Sequence, residues 1–163
     1  MSIHEILPYA TVSFQILYAT LMGALIGYDR EVFGKPAGIK THAMVCLGSC
    51  LVMLIGTLTF KDTNLGDPMR MAAQVVSGMG FLCGGVIIVT HNNEIKGLTT
   101  AAGLWFAACM GLCIGSSFMW MSVPAGLCYF FITHTLAKME RSSQRIQRKK
   151  QSPGESEKEK IVS

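Results

Sequence analysis

The sequence predicts an all-α, polytopic membrane bundle of five transmembrane helices, N-terminus outside and C-terminus cytoplasmic. Three observations carry this reading. Residues 8–28, 41–60 and 71–89 contain no Asp, Glu, Lys or Arg, and each matches the roughly 20 residues that span a ~30 Å hydrocarbon core at ~1.5 Å per residue. Residues 97–137 are also uncharged and long enough for two crossings. The basic residues, finally, gather on one side of the resulting topology.

The first stretch has no positively charged leader and runs directly into Asp29-Arg30-Glu31 without a small-residue cleavage pattern, so it is expected to be retained. The second is expected to open with Thr41 as its cap, and the third follows Asp67-Pro68, a helix start in which Asp caps and Pro takes the first helical position. Gly115-Ser116-Ser117 is the turn cluster that divides the last stretch into helices over 98–115 and 118–137. Thr99 or Thr100 is expected to cap the fourth helix, and Pro124 to kink the fifth, with Ser122 occupying the freed backbone groups.

With five spans, one side receives the loops 29–40 and 90–97 and the tail from Lys138, which together hold 12 of the 14 Lys and Arg; only Lys61 and Arg70 fall on the other. By the positive-inside rule the basic side is cytoplasmic. Residues 1–137 form the membrane domain and carry six basic and six acidic side chains, so the formal charge of +4 resides in the tail 138–163. That tail is poor in residues to bury and is expected to be disordered, its cluster Arg141, Arg145, Arg148, Lys149 and Lys150 drawn to anionic lipid. No aromatic residue or motif accompanies the charge, which argues against a nucleic-acid partner.

Polar residues inside or beside the spans are the candidates for function. Asp29, Arg30, Glu31 and His42 cluster around the first basic loop, and Gly34, Pro36 and Gly38 prescribe a tight turn there. Positive-inside anchoring explains the cations and leaves the acidic residues unexplained. On the other side, Arg70 stands where the interface begins, free to snorkel, to pair with Asp67 or to meet a neighbouring helix. Gln74 needs a hydrogen-bond partner away from water, and Ser77, Gly78, Gly80 and Gly84 give the third helix small residues for close packing. Gly23 and Gly27 offer the first helix a similar face, as Gly111 and Gly115 do the fourth. Thr99 and Thr100 belong to the inner loop cluster with His91, Asn92 and Asn93.

Cys46/Cys50 and Cys109/Cys113 share helix faces at i,i+4, a spacing that favours small apolar packing over metal ligation and leaves any metal site unassigned. No nucleophile–base pair, dinucleotide fingerprint or phosphate loop appears, so the sequence points away from an enzyme and asks for no cofactor. Five spans do not divide into two inverted halves, which counts against a self-contained transporter.

Four segments taken together resemble the MgtC/SapB family of bacterial inner-membrane proteins. They run from Gly27 through Lys35-Pro36-Ala37-Gly38 to Thr41-His42 and Cys46-Leu47-Gly48; Asp67-Pro68 with Arg70; Ala72-Ala73-Gln74-Val75-Val76-Ser77-Gly78 with Gly80-Phe81-Leu82; and Lys96-Gly97-Leu98-Thr99-Thr100-Ala101-Ala102. The resemblance implies a multi-pass inner-membrane domain of five helices. It also implies a role in adaptation to low magnesium or stress, virulence-associated in pathogens. Membrane lipids, another inner-membrane protein such as the ATP synthase, and a second copy of the chain are the partners it suggests. By position it singles out Asp29, Glu31, Asp67 and Arg70. An oligomeric transporter or channel for a divalent cation is the alternative. The chain departs from the family at Tyr28-Asp29-Arg30-Glu31, where many relatives read Leu-Glu-Arg-Glu, at Cys83, where a small residue is common, and in a tail too short for a folded cytoplasmic domain.

Overall fold

The computed structural model describes residues 3–63, 66–90 and 94–136, and side-chain surroundings from residue 9 onward. Five α-helices lie among them: α1 (Ile3–Val32), α2 (Ile39–Thr63), α3 (Pro68–Gly84), α4 (Leu98–Gly115) and α5 (Ser122–Phe131). Three are long and apolar enough to cross a bilayer: the Tyr9–Val32 part of α1, α2 and α4. Residues 1–122 form one compact unit and residues 123–163 a second.

In the first unit α2 is the central helix. It buries His42, Cys46, Ser49, Cys50, Met53 and Leu54, a stripe of helical period. α1 faces it with Gln15, Ala19, Met22, Gly23, Ile26, Gly27 and Arg30, all buried at the same period. In a membrane the apolar solvent gives helices no hydrophobic reason to associate, so close van der Waals contact must hold them, and small residues permit it. A Cβ placed on Gly23 would stand 2.6 Å from the His42 carbonyl oxygen and 2.7 Å from Cys46 Cβ, while one on Gly27 would stand 2.6 Å from Ile39 Cα. From the other side, a Cβ on Gly111 would fall onto the Cys46 carbonyl oxygen, and one on Gly115 would lie 2.5 Å from that of Cys50. The two glycine pairs thus grip successive turns of α2, the first pair from Gly38 to Cys46 and the second from Cys46 to Met53, and Cys46 is the small side chain where they meet.

Helix α3 leans on this core through two apolar clusters, Met79 with Leu104, Ala108 and Ala37, and Ala72 with Met53 and Leu112. Gln15 ties the far end of α1 to the end of α4, its Nε2 donating to the Ile114 carbonyl at 2.7 Å, and Tyr18 meets Ser122 at 3.1 Å.

Several boundaries differ from the sequence expectation, each for a local reason. α2 begins at Ile39, not Thr41, because the Glu31 carboxylate accepts the Ile39 N–H at 3.1 Å and does the capping from the end of α1. α3 does end early, at Gly84 and Gly85, where the apolar run continues as β1 (Ile88–Val89), paired antiparallel with β2 (Ile95–Lys96). α4 spans the expected residues, but its N-cap is Gly97 in a left-handed conformation (φ 95°), so neither Thr99 nor Thr100 caps it. Gly97 is required there twice over, since a Cβ would also fall onto the Val86 carbonyl oxygen. The expected turn after Gly115 is present, with Ser116 Oγ donating to the Cys113 carbonyl at 2.7 Å and accepting from Phe118 N–H at 3.1 Å.

The fifth expected helix over 118–137 is divided. A 3₁₀ turn (Met119–Met121) precedes α5, and a π-helical turn (Ile132–Leu136) follows it. Pro124 therefore sits in the first turn of a new helix, where its missing N–H has no carbonyl to bond, and produces a restart instead of a mid-helix kink. The expectations for the tail 138–163 and for His91, Asn92 and Asn93 lie outside the described residues.

Candidate functional site

The candidate residues separate into two groups at opposite ends of α2, and Asp29 and Asp67 do not meet. At the loop joining α1 to α2, Asp29 and Arg30 are both buried and paired, Arg30 Nη2 donating to Asp29 Oδ2 at 3.1 Å. The pairing matters because a charge removed from water is tolerated only with a partner. Asp29, which positive-inside anchoring left unexplained, is thus turned into its own chain. Glu31, by contrast, is exposed, and its carboxylate closes the N-terminus of α2 beside Gly38. A carboxylate there also complements the helix dipole.

His42 is fully buried one turn into α2. Its Nδ1 lies 3.0 Å from the Gly38 carbonyl oxygen. A carbonyl can only accept, so Nδ1 carries the proton, and Nε2 has no hydrogen-bond partner among the described residues.

At the other end Asp67 caps α3, its Oδ1 accepting the Met69 N–H at 2.9 Å, with Pro68 at the first helical position. This was the reading of Asp67-Pro68 from sequence. Arg70 forms no ion pair with Asp67 among the described residues. Instead Asp67, Arg70 and Gln74 line one cleft of about 400 Å³ against Ile55, Gly56 and Thr59 of α2. Asp67→Ala should lower the thermal unfolding midpoint in detergent by the equivalent of about 1 kcal/mol, while Asp67→Asn retains most of it. A drop of equal size for both variants would show that charge and not capping is what Asp67 provides.

The glycines also separate. Gly23 and Gly27 are packed against α2, but a Cβ on Gly78, Gly80 or Gly84 would meet nothing within 4 Å. Ala73, Gln74, Ser77, Gly80 and Gly84 all lie exposed on α3, and Phe81 beside them is 93% exposed. No other helix of the first unit covers that face among the described residues. At the loop end Thr99 is exposed and Thr100 buried, both on a cavity shared with Lys35 and Lys96.

Gln15 was missed by sequence reasoning, although it is the one amide side chain in the first apolar run and such a residue must find a partner in lipid. Lys35 and Lys96 were read only as orientation signals. Among the described residues no three His, Cys, Asp or Glu side chains come together to hold a metal ion.

The chain resembles several bacterial proteins. It is 46% identical over 106 residues to YhiD of Escherichia coli strain K12, a proposed magnesium transporter, covering 62% of this chain and 48% of that protein. It is 39% identical over 105 residues to SapB of Bacillus subtilis, covering 61% and 45%, and 37% identical over 109 residues to MgtC of Brucella abortus, covering 67% and 44%. The chain spans about half the length of these curated relatives. No solved structure matches it. A model of the MgtC family matches residues 16–142, which takes in α1 from residue 16 and the whole of α2, α3, α4 and α5, and on that match this membrane protein belongs to the MgtC family.

Proposed function

We propose that this chain is a non-enzymatic, multi-pass inner-membrane protein that acts by binding another membrane protein during adaptation to low magnesium or related stress. In this reading the loops carrying Lys35 and Lys96 face the cytoplasm. The observation that carries it is the uncovered face of α3. Gln74 and Ser77 are exposed there between residues too small to shield them. An amide facing hydrocarbon without a hydrogen bond costs roughly 2–7 kcal/mol, which a neighbouring helix supplying a partner would relieve. Glycines at Gly80 and Gly84 let that helix approach to backbone contact. Similarity to a protein named as a magnesium transporter and to proteins named MgtC supports this reading.

The cleft formed by Asp67, Arg70 and Gln74 favours a second reading, in which protomers joined at α3 enclose an ion path. Flux assays in liposomes containing only this protein separate the two. Silent vesicles, together with a discrete crosslinked partner in native membranes, support the binding role. Magnesium or proton flux abolished by Gln74→Ala supports the path.

A further inference from the structure

The loop end contains a cavity of about 640 Å³ that the proposed function does not use. Its walls come from the α1–α2 loop at Lys35 and Pro36, from β2 at Lys96, and from the opening turn of α4 at Gly97, Thr99 and Thr100. Among the described residues no carboxylate is on the wall. Glu94 pairs with Lys96 at 3.6 Å from outside it, both side chains about two-thirds exposed, an arrangement that water screens. Divalent cations, which need oxygen ligands with negative charge, have nothing to bind there.

Helix α4 opens into this cavity without a side-chain cap. Its first backbone bond runs from the Ala101 N–H to the Gly97 carbonyl at 2.8 Å, and the amides ahead of it have no preceding turn to bond. The 18-residue helix places the positive end of its dipole at the same point. A second observation is independent of the helix. Thr100 is 1% exposed, forms part of the cavity wall, and its hydroxyl makes no hydrogen bond to a described residue. A hydroxyl in that condition is free to donate to a ligand atom in the cavity. Lys35, which is exposed, adds a mobile cation at the mouth.

We infer that this cavity binds a phosphoryl group, with the free amides of the first α4 turn and the Thr100 hydroxyl donating to its oxygens and Lys35 and Lys96 neutralising its charge. A helix N-terminus with converging donors is a general solution for such an anion. The flanking Ile88, Ile95 and Leu98, all more than half exposed, form an apolar rim beside the site. The group is therefore supplied either by a phospholipid headgroup at the interface or by free phosphate from the adjoining solution.

The test uses the full chain in neutral detergent, titrated separately with inorganic phosphate and with phosphatidic acid or phosphatidylglycerol, at constant ionic strength, while the unfolding midpoint is followed. The expected result is a saturable rise with at least one ligand. Its apparent affinity should fall roughly tenfold in Thr100→Val, the loss expected when a hydrogen bond to a charged group is removed. Lys35→Gln, a change at an exposed side chain, should weaken it further without altering the ligand-free midpoint. A shift with lipid alone identifies the headgroup as source, and a shift with phosphate alone identifies the free ion. No shift with either, or an equal shift in wild type and both variants, overturns the proposal; in the latter case the basic tail, common to all three, would be the binder.

Discussion

Gly111→Val should prevent accumulation of folded protein. The first added carbon would fall onto the Cys46 carbonyl oxygen, with Ser49 Cβ 2.8 Å away, and neither obstacle is the flexible end of a side chain. α4 would have to withdraw from α2 along the stripe that also carries Cys50 and Met53, and with it the Gly115 contact and the Gln15 bond to Ile114. Overpacking a formed core costs about 1–3 kcal/mol, and more when backbone must move. The measurement is the yield of monodisperse protein after detergent extraction and its unfolding midpoint. Gly111→Ala should show a milder version of the same defect. Normal yield and midpoint for Gly111→Val would mean that α2 and α4 are not in this contact.

Gly80→Leu should have the opposite profile, leaving the isolated chain intact while abolishing its association. The position opens onto free space, and leucine is a better helix former than glycine by nearly 1 kcal/mol, so the midpoint should hold or rise. The same branched side chain would, however, stand where a neighbouring helix must reach backbone contact. Complementation of a deletion strain in limiting magnesium should therefore fail with Gly80→Leu at normal protein levels. Two glycines in identical i,i+4 motifs then separate stability from function. A Gly80→Leu chain that complements fully would remove the α3 face from the account.

The contrast shows where sequence reading succeeds and where it stops. Spans come from solvent: a run of uncharged residues must be in lipid or buried, so 8–28, 41–60 and 98–115 announced α1, α2 and α4 within a few residues. Asp67-Pro68 announced a helix start because the capping chemistry is local. The end of α3 was not legible in the same way. Ile87-Ile88-Val89 is as apolar in a strand as in a helix, and only pairing with Ile95 and Lys96 decides. Glu31 reaching Ile39 across eight residues is tertiary, and hid behind a plausible cap at Thr41.

For the candidate site the limits are of the same kind. The GxxxG spacing says that close contact is possible and not with what, so Gly23, Gly27, Gly80 and Gly84 read alike until α2 was seen against the first two only. Asp29 and Arg30 stood out in the sequence only as charges beside a basic loop. Burial of both side chains, 5% and 4% exposed, turns them into a pair sealed at the helix end. The cavity at the loop end draws on three segments far apart in sequence, so the sequence offered Thr100 as a polar candidate but not its place on one wall with Lys35 and Lys96.

The central claim is that α3 meets another membrane protein along Gln74, Ser77, Gly80 and Gly84. Photo-crosslinking in native membranes tests it most directly, with a photoreactive residue replacing Ala73 or Phe81 in turn, exposed beside the glycines whose close approach must be kept, and Met44, exposed on α2, as the control position. The account predicts one discrete adduct of fixed mass from both α3 positions and none from position 44. Lipid adducts alone at all three positions would contradict it.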